Sequence, residues 1–216
     1  MLILNSSIII CWIILLLLIA YLSRKYLPKE NELSRKIVHI GTGAVVPIAW
    51  WLEITKEVSI TVSALITIAL VINHKLRIIP ALEDINRESY GTIAYGFSIT
   101  LLMINLWEDH PAAVSAGVLV MAIGDGLAGL VGPKINSRNW KILNQTKSLA
   151  GTLTMALSTA IIIIVLITIT ENPFIPINLI IITLSAVILE QIGPLGIDNI
   201  TVPIGTAYLW LLLGLS

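Results

Sequence analysis

Long apolar runs recur along this chain at close intervals, and the polar segments between them are too short to hold a folded domain. Eight runs can be drawn: Leu2–Leu22, Ile37–Leu52, Val58–Asn73, Tyr90–Trp107, Pro111–Val131, Leu149–Thr170, Phe174–Leu189 and Ile200–Leu213. In hydrocarbon a backbone satisfies its N–H and C=O groups only within a helix or a closed barrel. Runs this long and continuously apolar, without period-2 alternation, read as helices. The composition agrees: the 216 residues are 56% hydrophobic and 12% charged, with mean hydropathy +0.94, where a soluble domain is about 25% charged. The expected fold is an all-α, polytopic transmembrane helical bundle of about eight spans, with seven or nine as neighbouring counts. No linker separates parts of the chain, so 1–216 reads as a single integral membrane domain. Several runs hold about 16 residues, roughly 24 Å of helix against a ~30 Å hydrocarbon core. Snorkelling basic residues or local thinning covers such a deficit.

Charge sets an orientation. The net charge is zero, but the signs are not mixed. With eight spans, every Lys and Arg except Lys56 falls on one side, in segments that include Arg24, Lys25, Lys29, Arg77, Arg87, Arg138 and Lys141. The other side holds Lys56 with Glu53, Glu57, Glu108, Asp109 and Glu171. The positive-inside rule places the basic face in the cytoplasm and both termini outside. The first apolar run precedes its positive charges, the reverse of a secretory leader, so it is expected to be retained as a span. One cysteine, Cys11, excludes an intrachain disulfide framework. No nucleic-acid partner is expected.

Against this background one carboxylate stands out. Asp125 lies in Met121-Ala-Ile-Gly-Asp-Gly-Leu-Ala-Gly-Leu-Val-Gly132, well inside an apolar span. The letters from Gly124 to Gly129 spell GxGxxG, but the dinucleotide fingerprint needs a strand before it and a βαβ unit around it. Gly126, Gly129 and Gly132 form a small-residue seam that permits close helix approach, serving either internal packing or a second copy of the chain. A seam does not explain the acid. A carboxylate at depth costs a few kcal/mol and marks a site by default.

Other polar groups gather at the same face. Glu32 to His39 reads ELSRKIVH, and helical spacing puts Arg35, Lys36 and His39 on one side, with Glu32 able to pair with Lys36. Taken alone, this is a snorkelling helix entrance or a cationic seat for an anion. Arg87-Glu88-Ser89-Tyr90-Gly91 reads as ordinary capping at the start of a span. Lys134 and Arg138 to Lys147-Ser148-Leu149-Ala150-Gly151-Thr152 combine a basic loop with a helix start. Its free N–H groups, lysine and two hydroxyls suit phosphate; the basic residues equally suit membrane anchoring. Glu190, Asp198 and Asn199 lie in a Gly/Pro-broken segment, where Asp198 either caps the last span or belongs to a site. Together, carboxylates with few histidines suit Mg²⁺, and the cations suit the phosphates that would complete its shell. That is the equipment of phosphoryl transfer, and at a membrane face the acceptor is expected to be a lipid. A small ion-coupled transporter with Asp125 as its intramembrane site is the rival from another class.

The runs ELSRKIVHIGTG, SYGTIAYG, GDGLAGLVG with KSLAGT, and GIDNITVP resemble the CTP-dependent lipid alcohol kinases: phytol, farnesol, dolichol and CTP-dependent diacylglycerol kinases. More distantly they resemble phosphatidate cytidylyltransferases. The length resembles the phytol kinase branch more than the longer dolichol kinases. The resemblance implies transfer of the CTP γ-phosphate to an isoprenoid alcohol with Mg²⁺. Asp125 and Asp198 would hold the metal. Lys147, Ser148 and Thr152, with Gly151 beside them, would hold phosphates together with Lys134, while Arg35, Lys36, His39 and Asn199 would border the site. Asp198 or Glu190 would take the proton, if a base is needed. A diacylglycerol kinase, or a cytidylyltransferase acting on a lipid phosphate, is the alternative within the resemblance. The chain departs from the family pattern after Gly132, where Pro133-Lys134-Ile135-Asn136 lacks a second glycine.

Overall fold

The computed structural model describes residues 2–27, 31–76, 78, 90–143 and 145–215. Arg87, Glu88 and Ser89, read above as a capping group, lie outside the described residues, as do Lys29 and Arg77.

The protein is built from helices: α1 (Leu2–Tyr26), α2 (Asn31–Gly43), α3 (Val45–Trp51), α4 (Lys56–Leu76), α5 (Gly91–Leu106), α6 (Pro111–Leu119), α7 (Gly126–Val131), α8 (Leu149–Ile169), α9 (Pro176–Gln191) and α10 (Asp198–Leu212). A π-helical turn, Val120–Asp125, joins α6 to α7, so Pro111–Val131 is one rod. Among the described residues, four helices are long and apolar enough to cross a membrane: Ser7–Tyr26, Lys56–Leu76, Pro111–Val131 and Leu149–Ile169. Helix α8 contains the run Ile-Ile-Ile-Ile-Val, which by propensity favours a strand. In an apolar surround the need to satisfy every backbone group internally outweighs that preference.

Two features depart from the reading of uninterrupted helices. The run Ile37–Leu52 breaks at Ala44 between α2 and α3. Pro47 is the cause: it donates no N–H, and its ring crowds the carbonyl four residues back, at Gly43. The basic loop also holds a small antiparallel hairpin, β1 (Asn139–Ile142) and β2 (Gln145–Ser148), with Trp140 opposite Lys147.

The rod Pro111–Val131 is the axis, 61% buried against 11% for the first span. Its residues Ala113, Val114, Ala116, Val118, Val120, Met121 and Ala122 are fully enclosed. Small residues allow that. A Cβ on Gly117 would lie 2.2 Å from the Pro203 carbonyl oxygen of α10, and one on Gly124 2.6 Å from Met155 Sδ of α8. The glycine seam is spent inside the chain: Gly126 meets Ile40, Gly129 meets Lys36, and Gly132 meets Ser148. Around the axis, α1 packs chiefly on α2, α4 chiefly on α5, and α9 between α8 and α10. Outward faces carry exposed Leu65, Leu157, Ile161, Leu184 and Ile188, a surface suited to lipid. At the end remote from Asp125, Lys56 pairs with Glu108 at 3.0 Å, and Trp107 Nε1 donates to the Ile54 carbonyl at 2.8 Å. These contacts fix the α3–α4 and α5–α6 turns.

Candidate active site

The π-turn ends on Asp125. Inserting one residue into the i→i+4 ladder re-aims the side chains that follow, and such bulges recur at functional sites. Here the turn delivers Asp125 to α2. Lys36 Nζ donates to Asp125 Oδ2 at 2.8 Å and to the Asp125 carbonyl at 3.3 Å. The expected Glu32–Lys36 pair does not form. Glu32 takes Arg35 instead, at 2.9 Å, because Gly129 leaves the aliphatic end of Lys36 room to cross toward the rod. His39 Nε2 lies 3.7 Å from the same Asp125 oxygen, and its ring packs on Tyr95 with centroids 4.6 Å apart.

The opposite wall comes from the hairpin and α9. Lys147 at the end of β2 is paired with the buried carboxylate of Glu190 and also donates to the Glu190 carbonyl at 2.9 Å. Gln191 Nε2 bridges Thr152 Oγ1 and Glu190 Oε2, each at 3.0 Å, while its Oε1 accepts from Trp140 Nε1 at 3.1 Å. The hairpin is thereby anchored to α9 and holds Lys147 in place.

The start of α8 differs from the expectation of open N–H donors. Leu149 N–H donates to the Arg138 carbonyl at 2.9 Å, Ala150 N–H to Ser137 Oγ at 3.2 Å, and Gly151 N–H to Ser148 Oγ at 3.1 Å. The first turn is self-capped. An anion here would meet Lys147, Lys134 and the hydroxyls, with those three N–H groups already engaged.

Asp198 opens α10. Its Oδ1 accepts from the Asn199 backbone N–H and Nδ2 at 3.0 and 3.1 Å. The preceding loop is pinned by a glycine pair: Gly196 sits at φ +93°, and a Cβ on it would come within 2.5 Å of Gly91 Cα. Asp198 is 9% exposed and has no cation within 4 Å among the described residues.

Of the residues that the resemblance would place at the site, all except His39 line one polar cavity of about 960 Å³: Arg35, Lys36, Asp125, Lys134, Lys147, Ser148, Gly151, Thr152, Glu190, Asp198 and Asn199. His39 lines a second, largely apolar cavity of about 340 Å³ that runs between α1, α3, α4 and α5. The two meet at Arg35, Lys36, Asp125 and Asn199. Local sequence offered no signal for Gln191 and Trp140, the residues that hold the wall. Tyr95 lay within a quoted run, but its stacking on His39 depends on the packing of α5 against α2 and the rod.

The donor set fits Mg²⁺. Among the described residues no three acids, histidines or cysteines converge. Asp125 Oδ1 and Asp198 Oδ2 receive no hydrogen bond among the described residues, while the other oxygen of each carboxylate is held. Mg²⁺ is commonly bound through one or two carboxylates, completed by phosphate oxygens and water.

Two relatives bear on the chemistry. A phytol kinase from Synechocystis sp. is 40% identical over 191 residues, covering 83% of this chain and 82% of that protein. The chain belongs to the isoprenoid-alcohol kinase family. A chloroplastic farnesol kinase from Arabidopsis thaliana is 26% identical over 139 residues, 59% of this chain and 45% of that protein. Nothing among protein-family models or solved structures matches. Membership in the isoprenoid-alcohol kinase family makes the chain a phosphotransferase with an alcohol acceptor, and the ion-coupled transporter reading of Asp125 falls.

Proposed function

We propose that this protein transfers the γ-phosphoryl group of CTP to an isoprenoid alcohol drawn from the bilayer, using Mg²⁺, at the cytoplasmic face of an eight-span bundle with both termini outside. The observation that carries the reading is the junction of a polar and an apolar cavity at Asp125 and Lys36. A kinase acting on a lipid needs two such compartments, one for a triphosphate and one for an apolar chain, opening onto one point.

The polar cavity is lined by Lys36, Lys134 and Lys147, enough to face a triphosphate without a Walker loop. Asp125 and Asp198 would hold Mg²⁺, which supplies charge neutralisation on the β- and γ-phosphates and fixes their orientation. Lys147 is aimed by Glu190 and Lys36 by Asp125, so both cations are preorganised, which is where electrostatic catalysis gains most. The alcohol oxygen, arriving from the apolar side, attacks the γ-phosphorus. The P–O bond from that phosphorus to the β–γ bridging oxygen breaks, CDP leaves with the electron pair, and the hydroxyl proton is released. A loose transition state places little demand on a base. Glu190, engaged by Lys147, serves as a positioning residue.

The test is incubation of membranes containing the protein with γ-labelled or α-labelled CTP and phytol, followed by lipid extraction. The reading predicts label in the lipid from γ-labelled CTP only. Lipid label from α-labelled CTP, with a lipid phosphate attacking the α-phosphorus and pyrophosphate leaving from the nucleotide, would make the protein a cytidylyltransferase instead.

A further inference from the structure

The apolar cavity has a far end, and its position carries information about the acceptor. We infer that this cavity is the seat of the alcohol's hydrocarbon chain, entered sideways between α1 and α4, and that Ala49, Ile54 and Met103 at its closed end set the longest chain accepted. The inference rests on the kinase reading above and specifies its acceptor.

Three observations support it. First, the cavity borders the phosphate side: Arg35, Lys36, Asp125 and Asn199 line both compartments, so a hydroxyl at this end would lie next to the triphosphate. Second, the side wall is open to lipid. Ile10 on α1 and Val62 and Ile66 on α4 line the cavity yet are 55%, 45% and 43% exposed, and α1 and α4 have their main packing partners elsewhere, on α2 and α5. A chain can slide in from the bilayer without crossing water. Third, the opposite end is shut. Ala49, Ile54 and Met103 are 6%, 6% and 4% exposed, and the Trp107 hydrogen bond to the Ile54 carbonyl holds the turn that closes it.

The two ends set a length. The lining residues run from Gly91 to Met103 on α5 and from Leu70 back to Val58 on α4, each about 18 Å of helix at 1.5 Å per residue. An extended chain advances about 1.2 Å per bond, a third of the ~3.6 Å reach of one residue. About 15 bonds therefore fit, a backbone of roughly four isoprene units. A cavity of about 340 Å³ lies at the small end of the range for single-ligand sites, which suits one branched chain and not the two chains of a diacylglycerol.

The experiment compares alcohols of graded length. Ala49→Phe fills the closed end, and Ser63→Phe blocks the α4 wall about 10 Å from the polar end. Ala49→Phe is expected to lower the ratio of phytol to farnesol phosphorylation at least tenfold. Ser63→Phe is expected to lower that ratio and also the ratio of farnesol to geraniol. Ratios unchanged in both variants overturn the proposal. If either variant loses all activity in parallel, wild-type protein decides. A phytol analogue with a photoreactive tail is expected to label Ala49–Val58 or Met103, and labelling confined to the outer faces of α8 and α9 overturns the assignment. Wild-type protein that phosphorylates no alcohol, yet is labelled at the closed end, would sink the kinase reading and leave the chain-binding groove standing.

Discussion

Lys36 and Asp125, 89 positions apart, meet as an ion pair of 2.8 Å, with side chains only 8% and 17% exposed. The pair joins α2 to the central rod at the point where the two cavities touch. Removing one partner of a buried pair leaves an uncompensated charge, at a cost of about 3 kcal/mol or more. Lys36→Met and Asp125→Asn are each expected to lower thermal stability in detergent, and the double variant by less than their sum. A coupling of about 0.5–3 kcal/mol is expected from the cycle. Additive losses would mean that the pair does not hold α2 to the rod.

Lys147 and Glu190 form the second pair, and their roles differ in the account. Lys147→Ala is expected to cost about a hundredfold or more in kcat/KM, the scale of losing one preorganised charge. Glu190→Gln is expected to cost clearly less than Asp198→Asn, since it loosens Lys147 without removing a free carboxylate oxygen. A Glu190→Gln loss equal to that of Asp198→Asn would assign Glu190 a direct part in the chemistry.

Chelation separates the metal from the fold. With EDTA, phosphate transfer is expected to vanish and to return with added Mg²⁺, while the melting temperature of the nucleotide-free protein stays unchanged. Mg²⁺ and CTP together are expected to raise that temperature more than either alone, because each supplies ligands for the other. Activity that survives exhaustive chelation would remove the metal from the mechanism.

Packing around the rod is tested far from the chemistry. Gly117→Ala places a methyl against the Pro203 carbonyl, a backbone atom that cannot swing aside. A destabilisation of about 3 kcal/mol is expected, at the upper end for overpacking, visible as poor yield and early aggregation. A variant as stable as the parent would show that α6 and α10 are free to separate.

Much of this was readable before any coordinates. The apolar runs announced helices, and Asp125 pointed to a candidate site, because an acid among small apolar residues is costly to bury. Seven positions named from the basic loop, the Gly/Pro-broken segment and the family resemblance, Lys134, Lys147, Ser148, Gly151, Thr152, Asp198 and Asn199, line the same cavity as Asp125. The partners were not legible. Local spacing paired Lys36 with Glu32, and the alternative depends on Gly129, whose missing side chain lets Lys36 pass. The start of α8 looked open to anions because Ser137 and Arg138, which cap it, are brought back by a hairpin whose strands are too short and polar to show a period. The break at Ala44 was signalled by Pro47, but within an apolar run that signal competes with continuous hydropathy.

The central claim is that Asp125 takes part in moving phosphate and does more than hold helices together. Purified wild-type protein and Asp125→Asn, given γ-labelled CTP, Mg²⁺ and phytol in the same lipid, test it most directly. The account predicts a labelled lipid monophosphate from the wild type and at least a hundredfold less from Asp125→Asn, with both proteins inserted and monodisperse. Labelled product at the wild-type rate from Asp125→Asn would contradict it.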